Sequence, residues 1–361
     1  MKNISKIIIA LLTSFSLISS ATAGELTVTG TAKATYNILG GKSNLGKGIG
    51  IANEIDFGAK GELDNGMSWN YQVQLDSGDA ASTSTGVFDD SRLELTTSYG
   101  TVAAYVSEGG LDTDNSASQS VYGRPTDISM GTSGMLDGPG IGDNNVQYHL
   151  PSGLLPFEGT FKVAYAPSQD GTINSSNATG TKQDIYGNDA QQYQFSMVPY
   201  EGVKIGGDYY TETGAGTAVE TVVQQYEAGS IYTTYKAGAY SLGASLTRRA
   251  PLILGTSATA STISNASKAG GNKDSVRLYE TKKLSGAYNV NENLSISYER
   301  ELGNRELIVD AAENDIKAQA IQAAYTMGGM TLAVSHGKMT NQSYTVDSDV
   351  KQTLLAMTLA F

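Results

Sequence analysis

His149 and His336 are the only histidines in the chain, and cysteine is absent. A histidine can serve as a general base or a metal ligand, but each role needs partner residues at a defined spacing. The sequence contains neither a G-x-S-x-G elbow nor an H-E-x-x-H pair, the patterns that would supply partners in a hydrolase or a zinc enzyme. The lack of cysteine also excludes thiol nucleophiles and cysteine-bound metals. We expect structural or solvent-facing roles for both histidines and do not predict an enzyme.

Residues 41–48 (GKSNLGKG) nearly match a phosphate-binding loop. In that motif a Ser or Thr after the lysine binds magnesium, and a helix begins directly after the loop. Here Gly48 takes the place of the Ser or Thr, and no helical pattern follows. We therefore interpret this segment as a glycine-rich extracellular loop between two strands and not as a nucleotide site.

A third group of residues that could do chemistry is the set of carboxylates between residues 108 and 144. The alternation of side chains stops throughout this segment, and structureless loops of this length are uncommon unless they are functional or disordered. A solvated acidic loop on the cell surface would have this composition. The carboxylates concerned are Glu108, Asp112, Asp114, Asp127, Asp137 and Asp143.

The charge balance of the chain is acidic. Removing Lys2 and Lys6, which belong to the leader described below, from the 24 basic residues leaves 22 against 36 acidic ones, a formal charge of −14. This balance argues against nucleic acid as a partner and favours cations wherever the charge lines a water-filled path. The 42 glycines and 21 tyrosines are typical of a β protein with many polar positions.

The amino terminus predicts export. Lys2 and Lys6 form a basic region, residues 7–18 form an apolar region too short to span a bilayer, and Ala21-Thr22-Ala23 fits a cleavage site. Residues 1–23 are therefore predicted to be a signal peptide and residues 24–361 the mature protein. Because no later stretch reaches about 18 consecutive apolar residues, this chain would have to enter a membrane as strands.

The last dozen residues form the clearest strand pattern. Leu355, Met357, Leu359 and Phe361 recur on one face, whereas the residues between them are small or polar. A strand with an apolar outer face, a mixed inner face and a terminal aromatic fits an outer-membrane barrel, because lipid offers no hydrogen bonds to an open sheet edge.

The same unit of two alternating strands joined by a tight turn repeats along the chain. In one strand Ile55, Phe57 and Ala59 alternate with Asp56 and Lys60, so its charged face requires water. The Asn-Gly pair in residues 64–67 predicts a hairpin with a type I′ turn. Counting these patterns predicts an all-β fold, a transmembrane antiparallel barrel of about 16 strands with long extracellular loops and short periplasmic turns.

The chain resembles the Gram-negative porins, closest in organisation to the Rhodobacter-type general diffusion porins of alphaproteobacteria. The resemblance covers the whole mature length. It rests on the signal peptide, residues 25–30 (ELTVTG), residues 53–63 (NEIDFGAKGEL) with the turn into Trp69, residues 98–102 (SYGTV) and the terminal Phe361.

Several expectations follow from this resemblance, together with the alternation of side chains. Residues 108–144 would fold inward as a constriction loop whose Glu108, Asp112, Asp114, Asp127 and Asp137 form the acidic side of the pore. The alternation directs Lys33, Lys60 and Arg92 into the lumen from the first, second and fourth strands, as the basic side. The resemblance further implies a homotrimer, possible Ca²⁺ at the inward loop with no other cofactor, and recognition of Phe361 by the barrel-assembly machinery.

We therefore predict an outer-membrane porin. It would form a water-filled channel, surrounded by outer-membrane lipid, through which small hydrophilic solutes and ions diffuse passively with a mild preference for cations. The alternatives are a non-channel barrel acting as an adhesin, receptor or structural protein, and a secreted β-sandwich. The polar inward faces argue against a plugged barrel, and the terminal aromatic argues against a sandwich.

Overall fold

The computed structural model describes residues 24–41, 46–77, 87–126, 140–141, 144–167, 189–213, 220–256, 263–264, 276–307 and 314–361. The predicted signal peptide, residues 1–23, lies outside this part. Sixteen strands pair in antiparallel fashion and close into one barrel, as the count of alternating segments predicted. Among the described residues, no helix has the length and hydropathy needed to cross a bilayer.

The barrel takes sixteen of the strands in the described part, and three short strands form a separate sheet. The barrel strands are β1 Glu25–Gly41, β2 Gly46–Glu62, β3 Ser68–Ser77, β4 Val87–Thr97, β5 Gly100–Val106, β6 Asn145–His149, β7 Thr160–Ala166, β8 Ala190–Tyr200, β9 Val203–Glu212, β11 Tyr226–Ala237, β12 Tyr240–Ala250, β15 Val276–Asn289, β16 Leu294–Leu307, β17 Ile316–Met327, β18 Met330–Thr340 and β19 Val350–Ala360. The small sheet consists of β10 Glu220–Gln224, β13 Ile253–Thr256 and β14 Ile263–Ser264.

The last strand closes the barrel by pairing with the first. Thr31 lies opposite Ala360, and the Gly30 N–H donates to the Phe361 carbonyl at 2.9 Å while the Phe361 N–H donates to the Gly30 carbonyl at 3.0 Å. Leu355, Met357 and Leu359 are exposed on the outer face, as their spacing predicted. Closure leaves the barrel with no open sheet edge, which a lipid environment requires.

The hairpin at residues 63–67 is present, but the predicted turn type is wrong. The Leu63 N–H donates to the Met67 carbonyl at 2.7 Å, so three residues connect the strands. Gly66 has a φ of 79°, whereas Asn65 is not among the residues with positive φ. A type I′ turn needs positive φ at both central residues, and the observed turn instead resembles the three-residue hairpin loop that places glycine in the left-handed region.

Exposed aromatic side chains surround the barrel near the end where strands are joined by short turns. Tyr99, Tyr200 and Tyr240 adjoin such turns and are largely exposed, as is the terminal Phe361. An aromatic girdle at the membrane interface has this arrangement. In outer-membrane barrels short turns are periplasmic and long connections extracellular, and this orientation stays a prediction for the present chain.

The inner face is mostly polar, and β12, which forms part of it, continues to Ala250. Arg249 is therefore buried on the inner face, and the connection that follows contributes β13 and β14 to the small sheet. The alternation of β12 continues through Arg248 and Arg249. A pattern search that counts only apolar positions would assign these two arginines to a loop.

Candidate functional site

The long connection between β5 and β6 lies against the inner face of the barrel. Beyond Gly109, whose carbonyl accepts from Gln147 on β6, its first contacts are with β8 and β9, where the N–H groups of Leu111 and Ile141 both donate to Gln192 Oε1, at 2.9 and 3.1 Å. The Thr113 N–H and hydroxyl both donate to Asp208 Oδ1, at 2.8 and 2.6 Å. Gln192 and Asp208 alternate along their strands with outward-facing tyrosines, so their own side chains point into the barrel. These bonds therefore place the start of the connection between β5 and β6, which we call the inward loop, inside the barrel.

The next contact is a buried ion pair. Lys283 on β15 lies 3.2 Å from Asp114 Oδ2 and donates to the Asn115 amide oxygen at 2.8 Å. The Lys283 side chain is 2% exposed and that of Asp114 is 0% exposed. Glu301 on β16 is also within 3.9 Å of the ammonium group. Charges as deeply buried as these are stable only when they are paired and hydrogen-bonded.

A wall carboxylate holds the middle of the loop. Glu299 Oε2 on β16 accepts hydrogen bonds from the hydroxyls of Ser118, Ser120 and Ser285, at 2.5, 2.8 and 2.9 Å. Ser285 Oγ also accepts the Gln119 N–H at 2.7 Å. Bonds to an ionised acceptor are stronger than neutral ones, so Glu299 is a central attachment point.

The far end of the loop reaches β16 and β17. The Val121 N–H donates to Ser297 Oγ at 3.0 Å, and the Thr126 hydroxyl donates to Glu301 Oε1 at 3.0 Å. Gln322 on β17 accepts the Tyr122 N–H at 3.1 Å and donates to the carbonyl of Gly123. The loop therefore crosses the lumen from β5 to the opposite wall.

Apolar contacts support both ends of the loop. Near its start, Leu111 and Ile141 are buried with alanines of β7, β8 and β11. Near its far end, Val121 and Tyr122 pack against Leu354 and small residues of β17–β19. In between, the loop backbone lies so close to β12 that a Cβ on Gly243 would be 1.8 Å from the Ala117 carbonyl oxygen. The loop is therefore packed against the wall over most of its described length.

These contacts change the expected role of the loop carboxylates. Asp114 is buried against the wall and pairs with Lys283, so its predicted place on the pore-lining side was wrong. Asp112 lies between Gly110 and Gly140, and burial followed by the neighbouring Asp114 charge raises the pKa of Asp112 to about 7. Sequence reasoning missed that the wall supplies acceptors to the loop, through Asp208, Glu299 and Glu301.

Glu108 stands apart from the other loop carboxylates because it lies nearer the basic wall. Burial raises the pKa of the Glu108 carboxyl, and the positive charge of Arg92 on β4 opposes this shift. Asp127 and Asp137, also predicted for the acidic side, lie outside the described residues. Within the described part, no group of three or more His, Asp or Glu side chains could hold a metal ion, so Ca²⁺ at this loop stays a prediction.

The three predicted basic residues lie on the inner face, at different heights. Lys33 is opposite Ala52 and Thr358 in the register of β1. Lys60 lies near the short-turn end, where its ammonium group is 3.2 Å from the Glu25 carboxylate and both side chains are exposed. Arg92 donates to the amide oxygen of Gln72 on β3.

The wall around Arg92 is mixed in charge, as the shared face of Asp56 and Lys60 in the sequence indicated. Glu94 accepts hydrogen bonds from Asn70 at 3.1 Å and from the Tyr105 hydroxyl at 2.8 Å. Asp56 accepts from Gln72 and Gln74 at 2.8 and 3.2 Å. This wall therefore presents alternating cations, carboxylates and amides, a lining that suits water and polar solutes.

The remaining sequence candidates take structural positions. His149 lies on the inner face with its Nε2 2.8 Å from Gln147 Oε1, and His336 lies on the outer face with its Nδ1 2.9 Å from Thr353 Oγ1. Gly46 and Gly48 begin strand β2, so this end of the phosphate-loop-like segment is extended, and residues 42–45 lie outside the described part. The described geometry contains no helix start there to hold a phosphate.

Comparisons with known proteins agree on family and fold. A family model described as Gram-negative porin matches residues 9–345. The comparison with curated protein sequences gave no match.

Solved porin structures have the same fold. Salmonella typhi OmpF, in complex with daunomycin, is similar with a TM-score of 0.66 and 14% identity over 94% of this chain and 98% of that one. The trimer form of Vibrio cholerae OmpT has a TM-score of 0.60 and 11% identity over 94% and 100%. A mutant of Rh. blastica porin has a TM-score of 0.56 and 13% identity over 93% and 100%.

Proposed function

This chain belongs to the Gram-negative porin family, and from that premise we propose a water-filled pore, narrowed by the inward loop and mildly selective for cations. The family and the closed sixteen-strand barrel make the protein a multi-pass outer-membrane channel for passive diffusion. Small hydrophilic solutes and ions pass down their gradients, and the protein performs no chemistry on them.

The observation that carries the proposal is the attachment of the inward loop to the part of the wall that excludes β1–β5. Its described contacts from Leu111 to Thr126 involve β7–β9, β11, β12 and β15–β19. Lys33 and Arg92 on the opposite wall, by contrast, keep polar neighbours. This arrangement supports a passage between the loop and β1–β5, with its width set by the loop.

The mild preference for cations is supported by the charges on that passage. Lys33, Lys60 and Arg92 point inward, but Glu54, Asp56 and Glu94 share their wall. Glu25 and Glu62 lie on the same inner face by register, so at least five carboxylates share this wall with the three cations, and the wall itself favours cations. The formal charge of −14 on the mature chain, derived from 22 basic and 36 acidic residues, adds to this preference.

The assembled form we propose is a homotrimer of the alphaproteobacterial, Rhodobacter-like type. The likeness to a porin solved as a trimer and to a Rh. blastica porin supports this proposal. The exposed aromatic ring of Phe361 at the closing seam is available to the barrel-assembly machinery.

The zero-current potential in a planar bilayer under a KCl gradient tests the selectivity. We expect a small cation-directed potential for the mature protein. Arg92→Gln should increase it and Asp56→Asn should decrease it, because each removes one lumen charge. Lys47→Gln, which changes an exposed lysine on the outer face of β2, is the matched control and should leave the potential unchanged. An anion-directed potential, or the same potential in all four proteins, would contradict the proposal.

A further inference from the structure

The outer face of β16–β19 carries a group of cations at one height. Arg300 on β16 lies opposite Gln319, Gln319 lies opposite Lys338, and Lys338 lies opposite Lys351. Lys317 lies one step further toward the long connections, opposite Leu302, which in turn lies opposite Lys282 on β15. We call Lys282, Arg300, Lys317, Lys338 and Lys351 the basic outer patch.

These side chains point away from the lumen. Residues next to them in the chain, such as Glu299, Glu301, Ala318 and Met339, are buried on the inner face. Since side chains alternate along a strand, the patch lies on the same surface as the exposed Tyr298 and Ile321. It therefore belongs to the membrane-facing surface and has no part in the pore.

The patch begins where the apolar band ends. Below it, toward the short turns, successive rows of paired residues are mainly apolar. These rows contain Tyr298 and Ile321, then Ile296, Ala323, Val334 and Leu355, then Tyr325, Leu332 and Met357, and finally Met327, Met330 and Leu359. A step of two residues covers roughly 6.7 Å of strand, so the four steps from the patch row to the last apolar row cover about 27 Å. Because barrel strands tilt by roughly 35–45°, this is about 20 Å of height, close to a barrel's apolar band of about 25 Å. The patch therefore lies at the level of the outer-leaflet headgroups.

Among the residues that the structure describes, only part of this positive charge is neutralised by ion pairs. Lys338 pairs with Asp349 at 3.3 Å, and Lys282 pairs with Glu280 at 2.7 Å, a carboxylate that Arg248 shares. Arg300, Lys317 and Lys351 form no ion pair with any described residue, although the chain has far more acidic than basic residues. Such a concentration of cations on an acidic protein calls for anionic groups from outside.

We propose that the basic outer patch binds the phosphate groups of anionic lipids in the outer leaflet. A cation facing lipid is costly near the bilayer midplane and nearly free of cost at the interface, where anionic headgroups attract it. The guanidinium of Arg300 can form two parallel hydrogen bonds to one phosphate, and the lysines add point charges around it. The proposal needs the membrane-spanning barrel and does not depend on conduction through it.

Native mass spectrometry of the purified full-length mature protein tests this proposal. The probes are a diphosphorylated glycolipid of the lipid A type and zwitterionic phosphatidylcholine, offered together. We expect the wild type to retain the phosphorylated lipid preferentially. The triple variant R300Q, K317Q, K351Q should bind it about 100-fold more weakly, since each cation near an anionic surface contributes roughly a fivefold change and three such factors multiply. Binding of phosphatidylcholine should not change.

The control removes two exposed lysines elsewhere, with K47Q and K236Q, and should retain the phosphorylated lipid like the wild type. Heat-modifiable migration on a denaturing gel establishes that every variant is a folded barrel. Equal retention by the wild type and the triple variant would overturn the proposal. A shift from trimer to monomer with unchanged lipid retention would also overturn it, because the patch would then contact a second copy of the chain. Displacement by millimolar inorganic phosphate alone would identify a free-anion site and contradict lipid recognition.

Discussion

Lys283 Nζ lies 3.2 Å from Asp114 Oδ2, and this ion pair joins the inward loop to the barrel wall. Both side chains are almost completely buried. Removing one partner of such a pair leaves the other charge buried without compensation, which typically costs about 3–5 kcal/mol. The pair therefore holds the loop in place only when both residues are present.

Lys283→Met should loosen the loop without unfolding the barrel. We expect faster hydrogen exchange at residues 113–121 and a larger, noisier single-channel conductance, because Asp114 would leave the wall to reach water. The matched control is Lys282→Met, one residue away on the outer face, which should leave both readouts unchanged. A Lys283→Met channel with wild-type conductance and exchange would show that the ion pair does not position the loop.

Asp112 should make the attachment of the loop pH-dependent. Burial and the nearby Asp114 charge raise the pKa of Asp112 from 3.8 to about 7. The attached state therefore holds its proton more tightly than the detached state does. The extra stability that this proton gives to the attached state is fully present below about pH 4 and is lost as the pH rises through 7.

Current fluctuations recorded between pH 5 and pH 8 measure this effect. The wild type should become noisier as the pH rises, because ionised Asp112 favours the detached loop. Asp112→Asn, which cannot ionise, should remain quiet across the same range. If the variant keeps the wild-type pH dependence, another group is responsible, and Glu108, whose pKa burial also raises, would be the next to test.

Gly243 should be intolerant of any side chain. A Cβ at this position would lie 1.8 Å from the Ala117 carbonyl oxygen, so Gly243→Ala must push the loop away from β12. Overpacking of this kind costs about 1–3 kcal/mol. We expect a changed conductance and increased exchange near Ala117. Gly48→Ala is the control, because a Cβ at Gly48 has nothing within 4 Å. Equal behaviour of the two variants would contradict the close contact between loop and wall.

Phe361 should matter more for assembly in the cell than for the folded barrel. Its backbone N–H and carbonyl pair with Gly30, whereas its ring is 66% exposed. Phe361→Ala keeps the backbone bonds, so the purified variant should refold in detergent as the wild type does. The amount of heat-modifiable barrel in outer membranes should fall several-fold. Phe157→Ala, at another exposed aromatic on the short-turn side, serves as the control. A normal amount of Phe361→Ala barrel in membranes would contradict the assembly role.

The strands and the direction of their side chains could be predicted because a period of two follows from strand geometry. Lys33 and Arg92 lie on the inner face for this reason. The hairpin at Gly66 was also visible in the sequence, but its turn type was not, because several loops of similar composition can connect two strands.

The attachment of the loop could not be predicted in the same way. Asp114 and Lys283 are 169 residues apart in sequence, and they meet only after the barrel has closed with one particular register. A carboxylate on an inner face, such as Glu299, has the same sequence pattern whether it faces water or a loop. The alternation from Ser297 to Glu301 carried the signal for an inner face, and nothing local indicated its partner.

Single-channel recording of the mature protein in a planar bilayer tests the central claim most directly. A diffusion pore narrowed by an attached loop predicts stepwise insertions, ideally closing in three sublevels, and a larger unit conductance in Lys283→Met than in Lys282→Met. A protein that migrates as a folded barrel yet gives no conductance would contradict the claim, because the inward loop would then close the lumen completely.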